Sequence, residues 1–264
     1  MDLLTIPVYF GIAAVIIMFL FNIFHYSFAS IFGVRVETFG MFITIGNTYF
    51  LKFKRNHTDY TLGWIPTTGF VKISGMFDDN IDGEPVKEED YMLSSKTPFV
   101  RFICTVGAPL LLLIPFVVSA MFIDPNGSLN ANFNVLNDVI YNLYQLVIGT
   151  IESVEAHENW NAIANTYAVF PIILCIMSLF TAFVSITTLL TNSIGQKIEA
   201  FNVIGSIGLL ILYLYILYKI GSLYFSVHNF TDALFSFVQF IITTYIISFV
   251  LMLLIKILPK NKYI

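Results

Sequence analysis

Charge is what this chain has least of: Asp, Glu, Lys and Arg make up 11% of its 264 residues, where soluble domains carry about a quarter. So few charges exclude an ordinary water-soluble globule and point to a bilayer as solvent. The apolar stretches contain almost no ionisable residue, which argues against an ion-coupled transporter, where such groups mark the pathway. Cysteine is scarce as well. Cys104 and Cys175 both fall in apolar runs, where thiols act as small apolar residues, and no disulfide framework can be read from them. There is no glycine-rich phosphate loop, no internal repeat and no basic patch suited to nucleic acid. Two further gaps matter later: positions 124–166 hold no Lys or Arg, and no Asp occurs between Asp138 and Asp232.

What is abundant is apolar: 57% of the chain, with a mean hydropathy of +0.81. A spanning helix needs roughly 20 mostly apolar residues, and five stretches qualify, at about 4–24, 101–123, 167–190, 203–226 and 232–256. The predicted fold is an all-α polytopic membrane protein of about five transmembrane helices, with a small re-entrant β element after the first. That first segment lacks the basic start and small-residue cleavage site of a signal peptide. Arg35, Lys52, Lys54, Arg55, Lys72, Lys87 and Lys96 cluster between residues 25 and 100, so the positive-inside rule makes this loop cytoplasmic. The N-terminus is then outside and the tail, with Lys256, Lys260 and Lys262, inside. Lys219 alone disagrees, and a lone Lys can snorkel.

Three regions are predicted: 1–122, with the first two helices and the loop between them; 123–166, a short extracytoplasmic loop; and 167–264, a three-helix membrane part. Val34 to Phe53 is rich in β-branched and aromatic residues broken by Gly40 and Gly46, which suits short strands. Asp78 to Asp90 is an acidic linker without assigned chemistry. In the outer loop Leu136, Val139, Ile140, Leu143, Leu146, Val147 and Ile151 recur at helical spacing, predicting one amphipathic helix that lies on the outer surface, docks on a partner or packs over its own bundle. His157 beside Glu152, Glu155 and Glu158 has metal-binding residue types, but the pattern reads as a solvated, charged loop.

Residues 21–37 carry the sharpest motif. Gly33-Val34-Arg35-Val36-Glu37 resembles the turn that follows the H-E-x-x-H helix in the site-2 protease family of intramembrane zinc peptidases, in the branch that cleaves anti-sigma factors. The second His of that motif then falls on His25, the first on Phe21 and the general-base Glu on Asn22. Thr58-Asp59-Tyr60-Thr61-Leu62-Gly63-Trp64-Ile65-Pro66-Thr67-Thr68-Gly69-Phe70-Val71-Lys72-Ile73 is similar to the family's T-E-Y-x-x-x-x-I-P-L-G-G-Y-V-K-M segment. Lys96-Thr97-Pro98, Arg101 and Gly107-Ala108-Pro109 resemble the lead into its second membrane helix. The family's Leu-Asp-Gly motif, source of the third ligand, aligns with Leu190-Thr191-Asn192. Its Asn beyond the Gly-Pro pair is Leu112 here, and its Phe-Ser-Ile-Gly-Phe-Gly run is Phe39 to Thr44. Residues 124–166 are too few for the PDZ domains of that branch, and beyond about residue 125 the likeness is only architectural.

The resemblance implies a degenerate catalytic centre. A catalytic zinc needs three protein ligands and an open position for water, and two His at i and i+4 grip it from one helix face with the Glu as base. Phe21 cannot ligate and neutral Asn22 cannot act as a base. His25 alone in an apolar helix reads as a hydrogen-bonded core residue. The degenerate positions are therefore Phe21, Asn22, His25 and Thr191, with no metal or other cofactor expected.

Three functions compete on these grounds: a pseudoprotease acting as scaffold or binding subunit of a membrane complex, a divergent active metallopeptidase, and a structural subunit sharing no function with the family. The first is preferred. Its expected partners are the lipid bilayer and other membrane or envelope proteins in a hetero-oligomer, at a bacterial inner membrane. An edge strand can accept a partner strand without a metal. The expected contact residues are Phe42, Ile43, Ile65, Pro66 and Gly69 in the β region, and Leu136, Ile140, Leu143 and Val147 in the outer helix.

Overall fold

The computed structural model describes residues 5–76, 89–195, 199–226 and 228–258; most of the acidic linker and the extreme tail lie outside them. Four helices are long and apolar enough to cross a membrane, at Ile6–Ile31, Pro98–Ala120, Val169–Thr188 and Phe230–Ile257. The helix over Glu199–Phe225, where a fifth span is expected, has among its described residues a shorter apolar run, Leu210–Phe225. The chain divides into two compact units, one built of residues 14–112 and 241–264, the other of residues 1–13 and 113–240.

In the first unit, α1 (Thr5–Ile31) ends in a Schellman turn. Gly33 takes φ +62, the Val34 N–H reaches the Ala29 carbonyl at 2.8 Å and the Gly33 N–H reaches that of Ser30 at 3.2 Å. Only glycine adopts this left-handed position without penalty, and these two bonds satisfy carbonyls the helix end would leave open. The chain leaves the turn as β1 (Val36–Ile43), followed by β2 (Leu51–Arg55), β3 (Thr58–Leu62) and β4 (Ile65–Ile73) in one sheet of order β2-β3-β1-β4. β1 runs parallel to β3 and antiparallel to β4. Strands were expected only as far as Phe53, so the Thr58 to Ile73 segment supplies half of the sheet. Its alternation is masked because Tyr60, Thr61 and Leu62 are all buried.

β1 is irregular at Phe42. Register slips between Met41 and Ile43, and Phe42 sits at φ +70, a conformation that costs a bulky residue ~1–3 kcal/mol and persists only when packing enforces it. Here the Phe42 ring is 1% exposed and meets Tyr245 edge-on at 5.1 Å. Tyr245 belongs to α8 (Phe230–Ile257), whose second half joins this unit, and Met252 from the same helix lies in one core with Val15, Phe39, Met41 and Leu62. A second core gathers Ala29, Val34, Val36, Ile73, Leu93 and Cys104. The last of these lies on α2 (Pro98–Leu111), which Thr97 caps and Pro98 opens, the pairing favoured at helix starts.

The second unit holds α3 (Leu113–Ala120), α4 (Leu129–Ile148), α5 (Ser153–Thr166), α6 (Val169–Gly195), α7 (Glu199–Phe225) and the start of α8. The span expected at 101–123 runs over Pro98–Ala120 with a one-residue interruption at Leu112, just after Pro109, whose ring removes a backbone donor. Residues 123–166, expected to hold one helix, hold two. α4 starts at the Ser128 cap and ends at Gly149 in the left-handed region; the more polar α5 shows no apolar stripe and so left no signal. Val135, Leu136 and Val139 of α4 pack with Ala120, Ile123, Ile172 and Cys175. The buried Asn142 amide donates to the Ala156 carbonyl at 3.0 Å and accepts from Asn159 at 3.1 Å, which joins α4 to α5.

Candidate catalytic centre and sheet edge

Phe21, Asn22 and His25 lie on one stretch of α1, and within the first unit each is committed to a structural contact. Asn22 is fully buried; its side-chain amide donates to the Gly40 carbonyl of β1 at 2.9 Å. Its own carbonyl oxygen is buried without a hydrogen-bond partner, so the residue is held by one bond out of those it could make. Strand β4 passes so close that a Cβ on Gly69 would stand 2.5 Å from the Asn22 nitrogen and 2.7 Å from Cγ of Met18. Helix and sheet meet here with no room for a side chain between them.

His25, 8% exposed, donates from Nδ1 to the Cys104 carbonyl at 3.0 Å, which fixes the ring against α2. Phe21 lies edge-on to that ring with centroids 4.6 Å apart. Where the resemblance expects a second imidazole, a hydrocarbon ring packs against the first. Among the described residues no three His, Cys, Asp or Glu side chains come together as a metal site requires. The Leu190-Thr191-Asn192 segment lies within α6, with its side chains outside the described residues. The residues present on α1 do not fit a catalytic zinc: one nitrogen donor faces a hydrocarbon ring and an amide already tied to backbone.

The other matched motifs build the frame around this stretch. Arg101 donates through Nε to the Lys96 carbonyl at 2.9 Å and through Nη2 to that of Ser94, bracing the turn before α2. Arg35 stacks over Tyr91 at 5.5 Å, and Lys72 pairs with Glu37 across β1 and β4 at 3.1 Å. Thr58 donates to the Val36 carbonyl at 2.8 Å.

Among the described residues β4 pairs only with β1, so its outer side is a sheet edge. Ile43, Trp64, Ile65 and Phe70 stand exposed around it, with Pro66 and Gly69 half-buried. Phe42, expected at a contact surface, is core. So is Leu136, and Leu143 packs partly buried against the same cluster, while Val147 is half-buried and Ile140 lies outward. The periodicity of α4 could not say which apolar residues face inward, because the helix has apolar residues on both sides: Ile140, Tyr144 and Ile148 form an exposed stripe opposite the buried one.

Tyr245 was missed. Its hydroxyl donates to the Trp64 carbonyl, and Phe50 packs edge-on to Trp64, Tyr245 and Phe249. A tyrosine inside an apolar helix needs a partner for its O–H, and that was the signal available.

A chain with four membrane-length helices and a small sheet set against the first of them is a polytopic membrane protein. The model of Peptidase family M50 matches residues 9–255. The chain therefore belongs to peptidase family M50, the site-2 proteases, a family of metallopeptidases. No curated protein matches it.

Proposed function

We propose that this chain is a catalytically inactive member of its family that serves as a scaffold or binding subunit of a membrane protein complex. One observation carries the reading: Asn22, at the general-base position, is fully buried and its amide holds a β1 carbonyl. A general base must be a proton acceptor within reach of a water or substrate, and a neutral amide spent on backbone is neither. Phe21 and the missing Asp remove two further groups that hydrolysis by zinc requires.

What the family match and the geometry leave in place is a grip. The β4 edge offers unpaired backbone donors and acceptors to an extended segment whether or not a metal lies nearby. In this reading the chain crosses a bacterial inner membrane five times, N-terminus outside, and associates with other envelope proteins through the β4 edge around Ile43 and Ile65 or through the outward face of α4 at Ile140. The decisive experiment reconstitutes the purified chain with a membrane-spanning substrate, with metal analysis and mass spectrometry of proteins co-purified in mild detergent. Stable partners and no cleavage are expected. Cleavage that a zinc chelator abolishes, or stoichiometric zinc, overturns the proposal.

A further inference from the structure

The first unit contains a groove of about 480 Å³ that neither the family nor the degenerate centre explains. Phe19 and Ile23 of α1 wall one side, and Leu251 and Leu254 of α8 the other. One end is polar, where Arg55 and Asn56 at the β2–β3 turn meet Tyr26 and Tyr60. Leu251 and Leu254 on α8, with Leu258 just past its end, follow i, i+3, i+7 spacing and so form a single stripe, roughly 10 Å long at 1.5 Å per residue. Both helices have membrane-spanning length and composition, so acyl chains are the solvent that reaches such a groove.

The charge around the polar end selects the occupant. The hairpin carries Lys52, Lys54 and Arg55, and Lys256 of α8 extends over the Phe53 ring at 6.0 Å. Asp59, 3.2 Å from Lys52, is the single carboxylate on the hairpin. Of these bases Arg55 is the one that lines the groove; Lys52, paired with Asp59, and Lys54 alternate onto the other side of β2. Arg55 is held in place by donating from Nη1 to the Ile255 carbonyl at 2.7 Å, which sets its guanidinium at the last turn of α8. A planar, preorganised guanidinium beside an apolar slot matches a phosphate carrying hydrocarbon. A helix from another protein would need a longer trough and gains nothing from the basic end.

We propose that this groove binds one anionic phospholipid of the bilayer, its acyl chain between α1 and α8 and its phosphate at Arg55. The inference is independent of whether the chain cleaves peptides. Clustered basic residues at a membrane surface are worth about fivefold in affinity each for anionic lipid.

The test uses the full chain in neutral detergent, titrated with phosphatidylglycerol or phosphatidylcholine in mixed micelles and read by native mass spectrometry and thermal unfolding. Phosphatidylglycerol should bind saturably as one molecule per chain, at least about fivefold tighter than phosphatidylcholine. Arg55→Gln should bring the two lipids close to parity. Leu254→Trp fills the groove and should weaken both lipids while leaving unfolding in detergent alone unchanged. Should loss of the Ile255 contact unfold Arg55→Gln, Leu254→Trp and the comparison of the two lipids in the natural chain still decide the proposal. Equal affinities for the two lipids in the natural chain overturn the proposal, as does undiminished phosphatidylglycerol binding in Leu254→Trp. Loss of a co-purifying protein, rather than lipid, from Leu254→Trp would also overturn it.

Discussion

The Asn22 amide nitrogen and the Gly40 carbonyl oxygen, 2.9 Å apart, tie the first membrane helix to β1, an inner strand of the sheet. A group that moves protons must be able to gain and lose contacts; the Asn22 amide is bonded to the Gly40 carbonyl, and β4 passes close to it at Gly69.

Asn22→Ala removes that bond and leaves the Gly40 carbonyl buried, a loss of ~1–3 kcal/mol. Because the Asn22 Oδ1 is itself buried without a partner, its removal offsets part of the cost, and the expected value is near the lower end. Asn22→Glu should be worse, since a carboxylate cannot donate to a carbonyl and is costly to bury. Thermal unfolding in mild detergent ranks the two. The double variant Phe21→His with Asn22→Glu restores the motif's letters, yet should bind no stoichiometric zinc, because no Asp lies between Asp138 and Asp232 to complete the ligand set.

Gly69→Ala should destabilise by forcing α1 away from β4, by roughly 1–3 kcal/mol as overpacking does. Combined with Asn22→Ala, which opens that space, its cost should shrink. A double-mutant cycle that comes out additive would contradict the close approach seen here.

In the second unit, His157 of α5 faces His228, with ring centroids 6.4 Å apart. Burial and then His228 push His157 below its ordinary value of 6.5, while Glu158 acts in the opposite sense. The unfolded chain therefore takes up this proton at higher pH than the folded one, so stability is lost as pH falls below about 6.5. Unfolding temperature measured between pH 7.5 and pH 5 should decline, and His157→Gln should flatten the decline.

Partner contacts are best probed at residues that are not core. Ile65→Asp at the β4 edge and Ile140→Asp on α4 both stand at the surface, at 41% and 44% exposure, so neither should unfold the protein. At least one should strip partners from the complex recovered in mild detergent. Undiminished recovery in both would remove these surfaces from consideration.

Single cysteines introduced at Ser128 and at Asn261 should be labelled from opposite sides of the membrane. Same-side labelling would mean that α7 does not cross.

The turn at Gly33 and the lead into α2 at Thr97 and Pro98 were found through the family resemblance, while hydropathy ended the first helix near residue 24 and began the second near 101, short of the Ile31 and Pro98 observed. The stretch of Phe21, Asn22 and His25 was also visible, since it rests on residue identity at fixed spacing along a helix. The sheet was legible only in its first part: Thr58 to Leu62 is buried on both faces and loses the alternation that marks a half-exposed strand. The interruption at Leu112 and the division of residues 123–166 into α4 and α5 were hidden, because hydropathy measures the solvent a segment prefers and not where its backbone hydrogen bonding is interrupted. Nor could the sequence indicate that Phe42 points inward. A bulge that shifts register by one residue exchanges the faces of a strand, and its cause lies in Tyr245, far along the chain.

That distance has a consequence for how the molecule is made. The sheet is complete once residue 73 has been synthesised, but part of its cover is α8: Arg55 bonds Ile255 across 200 positions, and Tyr245 reaches Trp64 across 181. Until those last residues emerge, Phe42 and Leu62 lack part of the apolar environment that holds them in the finished core. Such long-range closure is slow and leaves adhesive surface open meanwhile. The nascent chain therefore passes through a stage in which an unfinished sheet awaits its final helix, and a product truncated before residue 241 would stay at that stage, a natural target for the membrane's quality-control proteases.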